Sequence, residues 1–317
     1  MSRLSLDELR RLHHQPFFHL LRQAREAYER HWEGEGVQLC SLLSIKTGGC
    51  SEDCGYCAQS ARHAAGVTPT PLMDEEEILA VARRAKELGA QRFCMGAAWK
   101  GVREDDPRFE RVVSAVREVG KLGMETCVTL GHLTDGAARA LKEAGLTAYN
   151  HNVDTSPEHY GKIVTTHTFQ DRLDTILRVQ EAGISLCCGG ILGMGESAED
   201  RLRMLEVLVG MTPPPESVPI NCLTPIPGTP LEGRPPVDVL DLVRMIATAR
   251  IALPKSRVRL SAGRAALSRE AQALCFFAGA NSIFYGEKLL TTKNPGVNED
   301  LELLAALDLA PQAAERR

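Results

Sequence analysis

The stretch DEEEILAVARRAKELGAQRFCMGA, residues 74–97, decides the fold. Its first part carries apolar side chains at helical spacing, and its end, RFCMGA, is a short β-prone run. Between them Gly89 stands where a left-handed C′ residue must turn a helix back toward a strand. The same unit recurs outward in both directions. Further amphipathic stretches are FERVVSAVREVGKLG (109–123) and DRLDTILRVQEAG (171–183), and Gly123, Gly145 and Gly183 repeat the punctuation of Gly89. Further β-prone runs are VQLCSLLSI, METCVTL, AYNHNVD, ISLCCGGI, SVPINC, RVRLSA and SIFYG, which bring the total to eight.

Eight strand–helix alternations over this length predict a parallel α/β fold, a (β/α)8 TIM-type barrel. A doubly wound open sheet is the alternative, because strand order is not written in one sequence. Residues 5–33 read as helical, so the expected organisation is an N-terminal helical extension (1–36), the barrel (37–295), and a C-terminal helix and tail (296–317). The last residues, APQAAERR, read as a frayed tail. The Pro-rich runs MTPPPESVP and TPIPGTPLEGRPP fit loops on either side of the sixth strand.

Composition narrows the class of protein. Apolar residues are 44% and charged residues 25% of the chain, as in a globular enzyme. A formal charge of −4 and a pI near 6.2 make no case for nucleic acid or an anionic membrane. The start, MSRLSLDELRRLHH, lacks the apolar core of a signal peptide, and no apolar run reaches spanning length. The expected setting is the reducing cytoplasm, where ten cysteines read as metal ligands rather than disulfides.

Cys50, Cys54 and Cys57 lie in GGCSEDCGYCAQS, just after the first predicted strand, at the barrel end where active sites gather. One reading is a zinc knuckle completed by a distant cysteine or histidine. The other is the corner of a [4Fe–4S] cube with one iron left open for a small molecule. The C-x3-C-x2-C spacing resembles the signature of the radical S-adenosylmethionine (SAM) enzymes. That resemblance implies SAM chelating the open iron and being cleaved to a 5′-deoxyadenosyl radical, with Tyr56 beside the adenine. Glu52 and Asp53 read as solvated loop charges.

Cys94, Cys127 and Cys187 fall in the second, third and fifth predicted strands. As isolated buried thiols they would be small core residues. As equivalent positions on converging strands they would face one axis, together with Arg259 of the seventh strand. A guanidinium buried there needs a partner, which thiolates or cluster sulfides would supply.

The motifs CSEDCGYCAQS, RFCMGAAW, YNHNVDTSPE, ESVPIN, VRLSAGR, AGANSIFYG and KLLTT, spread over residues 37–295, are similar to those of the biotin synthase family. The resemblance implies a [2Fe–2S] cluster on Cys94, Cys127, Cys187 and Arg259, consumed as the sulfur donor that turns dethiobiotin into biotin. It implies Asn152 and Asp154 at the SAM ribose, Asn152 also at the substrate, and Ile191 on the adenine. Asn221 becomes a candidate for the ureido ring of the substrate, and Thr291 and Thr292 for its carboxylate. A reduced flavodoxin or ferredoxin, iron–sulfur cluster repair machinery and a homodimer are the implied partners.

Some residues have competing readings. Neighbouring strand residues point to opposite faces, so only one of Cys187 and Cys188 can meet the axis; the motif favours Cys187. Cys40, Cys222 and Cys275 read as packing residues. Asn150, Asn152 and Asp154 could equally cap the next helix through an Asx-turn beside Ser156 and Pro157. His151 and His159 read as exposed loop histidines. Residues 193–198 match G-x-G-x-x-A, but the acidic residue that a dinucleotide site needs would be Glu216, in a Pro-rich loop. The rival functions are another radical SAM enzyme, of the methylornithine synthase or hydrogenase maturase type, and a non-catalytic iron–sulfur electron carrier.

Overall fold

The computed structural model describes residues 3–32, 34, 36–286 and 289–313. Eight parallel strands carry the fold: β1 (Gln38–Lys46), β2 (Arg92–Ala97), β3 (Glu125–Thr129), β4 (Ala148–Asn150), β5 (in two segments, Ser185–Cys187 and Gly190–Leu192), β6 (Ser217–Cys222), β7 (Arg257–Leu260) and β8 (Ser282–Phe284). They pair in the order β7-β8-β1-β2-β3-β4-β5-β6, and β6 returns to pair with β7. The sheet is closed, which excludes the open doubly wound alternative.

The outer layer holds α3 (Glu75–Glu87), α4 (Pro107–Lys121), α5 (Asp135–Glu143), the short α6 (Pro157–Tyr160), α7 (Phe169–Glu181), α8 (Ala198–Gly210), α9 (Val239–Ala252) and α10 (Arg269–Phe277). The glycines foreseen as helix stops have φ of +95° (Gly89), +76° (Gly123), +87° (Gly145) and +69° (Gly183). A Cβ would strain that left-handed conformation, so glycine ends these helices and releases the chain into the next strand. The main apolar core lies between the outer strand faces and these helices.

The strand register sets what faces the axis. Leu42 pairs with Cys94, Cys94 with Cys127, Cys127 with Ala148, and Asn150 with Cys187. Because side chains alternate, one face of each strand supplies a continuous inner surface. Its floor is polar: the fully buried Arg92 donates from Nε to Glu125 (2.8 Å) and from Nη1 to Glu216 (3.0 Å). This plug closes the amino end of the barrel and leaves the carboxyl end open.

The helical span foreseen at 5–33 divides at Pro16 into two N-terminal helices, α1 (Leu6–His13) and α2 (Phe17–Trp32). They dock on α8 and α9. His13 Nδ1 meets Thr248 Oγ1 at 3.0 Å, Arg244 donates to the His13 carbonyl, and Trp32 Nε1 donates to the Pro254 carbonyl at 2.8 Å. After a last helix, Val297–Ala306, the chain is not frayed at residues 310–312: Val37 N donates to Ala310 O, and Gln312 N to Val37 O. Strand-like backbone pairing at the foot of β1 holds that segment. Residues 314–317 of the foreseen tail lie outside the described residues.

Candidate active site

A cavity of about 340 Å³ opens at the carboxyl end of the barrel. Cys50, Cys54 and Cys57 line its mouth, while Cys94, Cys127 and Arg259 line it further in, toward the axis. Tyr56, Asn152, Asp154, Ile191, Asn221, Thr291 and Thr292 complete the set of sequence candidates on its wall. Cys187 is not on the wall itself. It packs directly behind, in one buried group with Cys40, Cys94, Cys127 and Ala148.

The cysteine loop is pinned to the segment that precedes α7, which corrects the reading of its acidic residues. Glu52 is buried and bonded to the Thr166 hydroxyl, to His167 Nδ1 and, at 3.0 Å, to Lys100 Nζ. Asp53 accepts from the backbone N–H of Thr165 and of Thr166. Burial opposes ionisation of both carboxyls, but these hydrogen bonds outweigh it and hold both below the usual range. Burial pushes the thiols of Cys50, Cys54 and Cys57 up, Cys57 to about 11.

Asp154 sits at φ +66°, a left-handed turn that aims its carboxylate back over the loop. Its Oδ2 accepts from the Tyr56 hydroxyl at 2.9 Å and from Arg172 Nη2 at 3.1 Å. Burial raises the Asp154 carboxyl, and Arg172 works against that rise. Arg172, projecting from α7, escaped the sequence reading. Its only local signal was an arginine in the first turns of an amphipathic helix. Its Nε donates to the Tyr160 hydroxyl at 2.8 Å, and Tyr160 in turn meets His167 Nε2 at 2.7 Å. His151 and His159 are buried rather than exposed, because the β4 end and α6 fold under α8 and the cysteine loop.

Asn150 donates from Nδ2 to Cys187 Sγ at 3.2 Å. Asn152 accepts from Gly189 N at 3.1 Å, so it bridges β4 to the break in β5. Asn221 donates to the Gly190 carbonyl at 3.0 Å and accepts from Ala262 N at 3.2 Å. No side chain caps the short helix after β4 except Ser156, which accepts from His159 N, so the Asx-turn reading is not needed.

At the axis, Arg259 is almost fully buried. Its Nε donates to Ser282 Oγ (3.0 Å), while Nη1 lies 3.5 Å from Cys187 Sγ and Nη2 the same distance from Gln38 Oε1. Hydrogen bonding from the Cys127 thiol, helped by Arg259 and Arg92, pulls Cys187 down to about 6. Cys94 is likewise pulled down by the thiols of Cys127 and Cys40, while burial and hydrogen bonding with Cys94 push Cys40 up. Cys40 packs, fully buried, within the axial group. Cys188 faces the helices, with its backbone N–H on the Ser217 carbonyl, Cys275 also sits in the outer core, and Cys222 packs there while lining the cavity. Among the described residues, no three His, Cys, Asp or Glu side chains draw together around a single ion.

A closed parallel barrel with a three-cysteine loop at its mouth defines a class, and the comparisons agree: the Radical SAM superfamily description matches residues 44–208. The Biotin and Thiamin Synthesis associated domain matches residues 219–310. The biotin synthase of Bordetella avium is 58% identical over 95% of this chain and 93% of its own length. That of Synechococcus sp. (strain WH7803) is 58% identical over the same shares, 95% and 93%. The chain belongs to the biotin synthase family. Among solved structures, a methylornithine synthase (PylB) superposes with a TM-score of 0.81 at 20% identity, covering 99% of this chain and 95% of its own. The hydrogenase maturase HydG from Carboxydothermus hydrogenoformans gives 0.80 at 19% identity, over 98% and 76%. These two share the fold; they carry no statement about the substrate.

Proposed function

We propose that this chain converts dethiobiotin to biotin, with a [4Fe–4S] cluster on Cys50, Cys54 and Cys57 and a [2Fe–2S] cluster on Cys94, Cys127, Cys187 and Arg259. One observation carries the reading: a single cavity has three thiols at its mouth and a second set of thiols, with a buried arginine, at its axis. The donors suit iron–sulfur groups, since soft thiolates hold iron. When bound, the first cluster with SAM supplies a carbon radical able to take hydrogen from unactivated C–H bonds, and the second supplies the sulfide.

The residues of the chain bind, orient and exclude water. Arg172 presents a cation over the cysteine loop, suited to the carboxylate of SAM. Asp154 and Asn152 serve the ribose, Tyr56 and Ile191 the adenine. Asn152 and Asn221 are the groups for the ureido ring, and Thr291 and Thr292 for the substrate carboxylate. Leu42, Phe284 and Leu290 give the wall apolar stretches, which keep water from a radical. A flavodoxin or ferredoxin reductant, iron–sulfur repair machinery, a homodimer and a cytoplasmic setting complete the proposal. No helix among the described residues is long and apolar enough to cross a membrane.

The test is anaerobic incubation of the reconstituted protein with dethiobiotin, SAM and a reductant, followed by mass spectrometry. Biotin formation is expected. SAM cleavage without biotin would move the assignment to another radical SAM reaction, and no SAM cleavage at all would leave an electron carrier.

A further inference from the structure

The loop that follows β8 brings Leu289, Leu290, Thr291 and Thr292 to the cavity wall. A backbone bond from Leu289 N to Thr292 O, at 2.9 Å, folds these four residues into a tight turn. Two residues on, Asn294 is buried, and its amide nitrogen donates to the Phe284 carbonyl at 2.9 Å and to the Gly286 carbonyl at 2.7 Å. Both amide hydrogens are thus spent on the end of β8, and one side chain joins the exit of the loop to its entrance. The Phe284 carbonyl also accepts from Arg264 Nη2 at 2.8 Å. Arg264, almost fully buried, holds both carboxylate oxygens of Asp300 on the last helix, with Nη2 2.9 Å from Oδ2, and meets Gln272 Oε1 at 3.0 Å. This buried fork fixes the helix into which the loop runs.

We propose that Asn294 is a positioning residue for the substrate-carboxylate subsite: it holds the turn so that Thr291 and Thr292 meet that carboxylate, and the Arg264–Asp300 pair anchors it. The inference rests on the dethiobiotin reading above, with the two threonines serving the carboxylate. Thr291 and Thr292 offer hydroxyl and backbone N–H groups, which are neutral donors. A cation attracts a carboxylate over a range of distances and angles, whereas neutral donors lose most of their hold once the bond is stretched or bent. A subsite of this kind reads a carboxylate only while its loop keeps its shape. The bond from Leu289 to Thr292 shapes the turn but does not fix it to the barrel. The Asn294 amide does so, through carbonyls at the end of β8. Phe284, whose carbonyl takes two of these bonds, also lines the cavity, so the same point registers the turn against the apolar wall.

The experiment measures the first turnover of the reconstituted protein with dethiobiotin and with its methyl ester, by mass spectrometry of biotin and biotin methyl ester. It compares the parent with Asn294→Ala, Asn294→Ser and Asp300→Asn. An unchanged visible spectrum and an unchanged half-saturating concentration of SAM are the controls for folding. The parent is expected to take the acid at least about tenfold more tightly than the ester, the worth of hydrogen bonds to a charged group. Asn294→Ala is expected to raise the half-saturating concentration of the acid by about that factor, while that of the ester and the maximal rate change less than about twofold. Asn294→Ser, which reaches one carbonyl only, and Asp300→Asn, which loosens the anchor, shift the acid alone in the same direction by less. These two carry the test if Asn294→Ala fails the folding controls. Acid and ester weakening together in the variants, or an acid that none of them weakens, overturns the proposal and leaves Asn294 a structural residue. A parent that takes acid and ester alike overturns it as well, since the turn then reads no carboxylate. A parent that forms no biotin overturns the dethiobiotin reading itself, and shows as such before any variant is compared.

Discussion

Arg172 and Asp154 form a buried ion pair, 3.1 Å from Nη2 to Oδ2, that ties α7 to the end of β4 directly over the cysteine loop. The Tyr56 hydroxyl joins the same carboxylate oxygen, so the loop, the strand end and the helix share one node. Removing one partner strands the other charge away from water, which costs about 3–5 kcal/mol. Arg172→Ala is expected to lower stability by about that much and to weaken SAM binding at least tenfold. Arg172→Lys, which keeps the charge and loses the fork, should recover stability more than affinity. Anaerobic denaturant unfolding and equilibrium SAM titration separate the two effects.

Cys187 and Cys188 are adjacent in sequence and face opposite sides of the barrel wall. Cys187→Ala is expected to remove the visible absorption of the second cluster while sparing iron in the cysteine loop. Cys188→Ala leaves both clusters at parent content and costs about 1 kcal/mol, as a small cavity behind the sheet would. Iron and sulfide analysis with visible spectroscopy reads the first outcome, and thermal unfolding the second. The complementary change, Cys54→Ala, should abolish SAM cleavage with Cys94, Cys127 and Cys187 untouched.

How much of this was legible follows the range of the interaction. The eight strands, the helix-ending glycines and the three-cysteine loop are local patterns, and the sequence displays them without knowledge of the fold. The docking of that loop is not local: Glu52 meets His167 from 115 residues away. Neither residue carries a sign of the other, so Glu52 was read as a solvated loop charge and His167 went unnoticed. Arg172 is similarly invisible until α7 is laid beside β4. The place of Cys40 at the axis escaped for a different reason. Its phase relative to Cys94 depends on the register of β1 against β2, in which Leu42, two residues on, is the partner of Cys94. Alternation then places Cys40 on the same inner face, but only the closed barrel shows that this face holds the other thiols.

Gly189 and Gly190 break β5 where β6 and the Asp154 turn crowd it. A Cβ on Gly189 would stand 2.0 Å from the Pro219 carbonyl oxygen, and one on Gly190 would stand 2.1 Å from Met204 Sδ and 2.6 Å from the Asp154 carbonyl oxygen. The first obstacle is backbone, which cannot step aside as a side chain can. Gly189→Ala is expected to cost at least about 2–3 kcal/mol, in the range of an overpacked core. Because Gly189 O accepts from Val153 N and Asp154 N, the same change should raise the KM for SAM. Denaturant unfolding and steady-state kinetics of SAM cleavage check both.

His13 sits buried between the first helix and α9, bonded to Thr248, with Arg244 close by. Burial, with help from Arg244, pulls its pKa down to about 4 from an ordinary value near 6.5. The folded state therefore resists protonating this ring more than the unfolded chain does. Its contribution to stability is fully present above about pH 6.5 and is lost as the pH falls toward about 4, at a slope no steeper than about 1.4 kcal/mol per pH unit. Loosening should begin in the N-terminal helix Leu6–His13 rather than in the barrel, since that helix depends on the contact. Hydrogen exchange between pH 7 and pH 5, corrected for the intrinsic rate, is expected to show protection falling there first. His13→Gln keeps a polar partner for Thr248 without a titrating charge, and should flatten that dependence while leaving protection at pH 7 within a factor of a few. An unchanged pH profile in this variant would assign the acid sensitivity to another group.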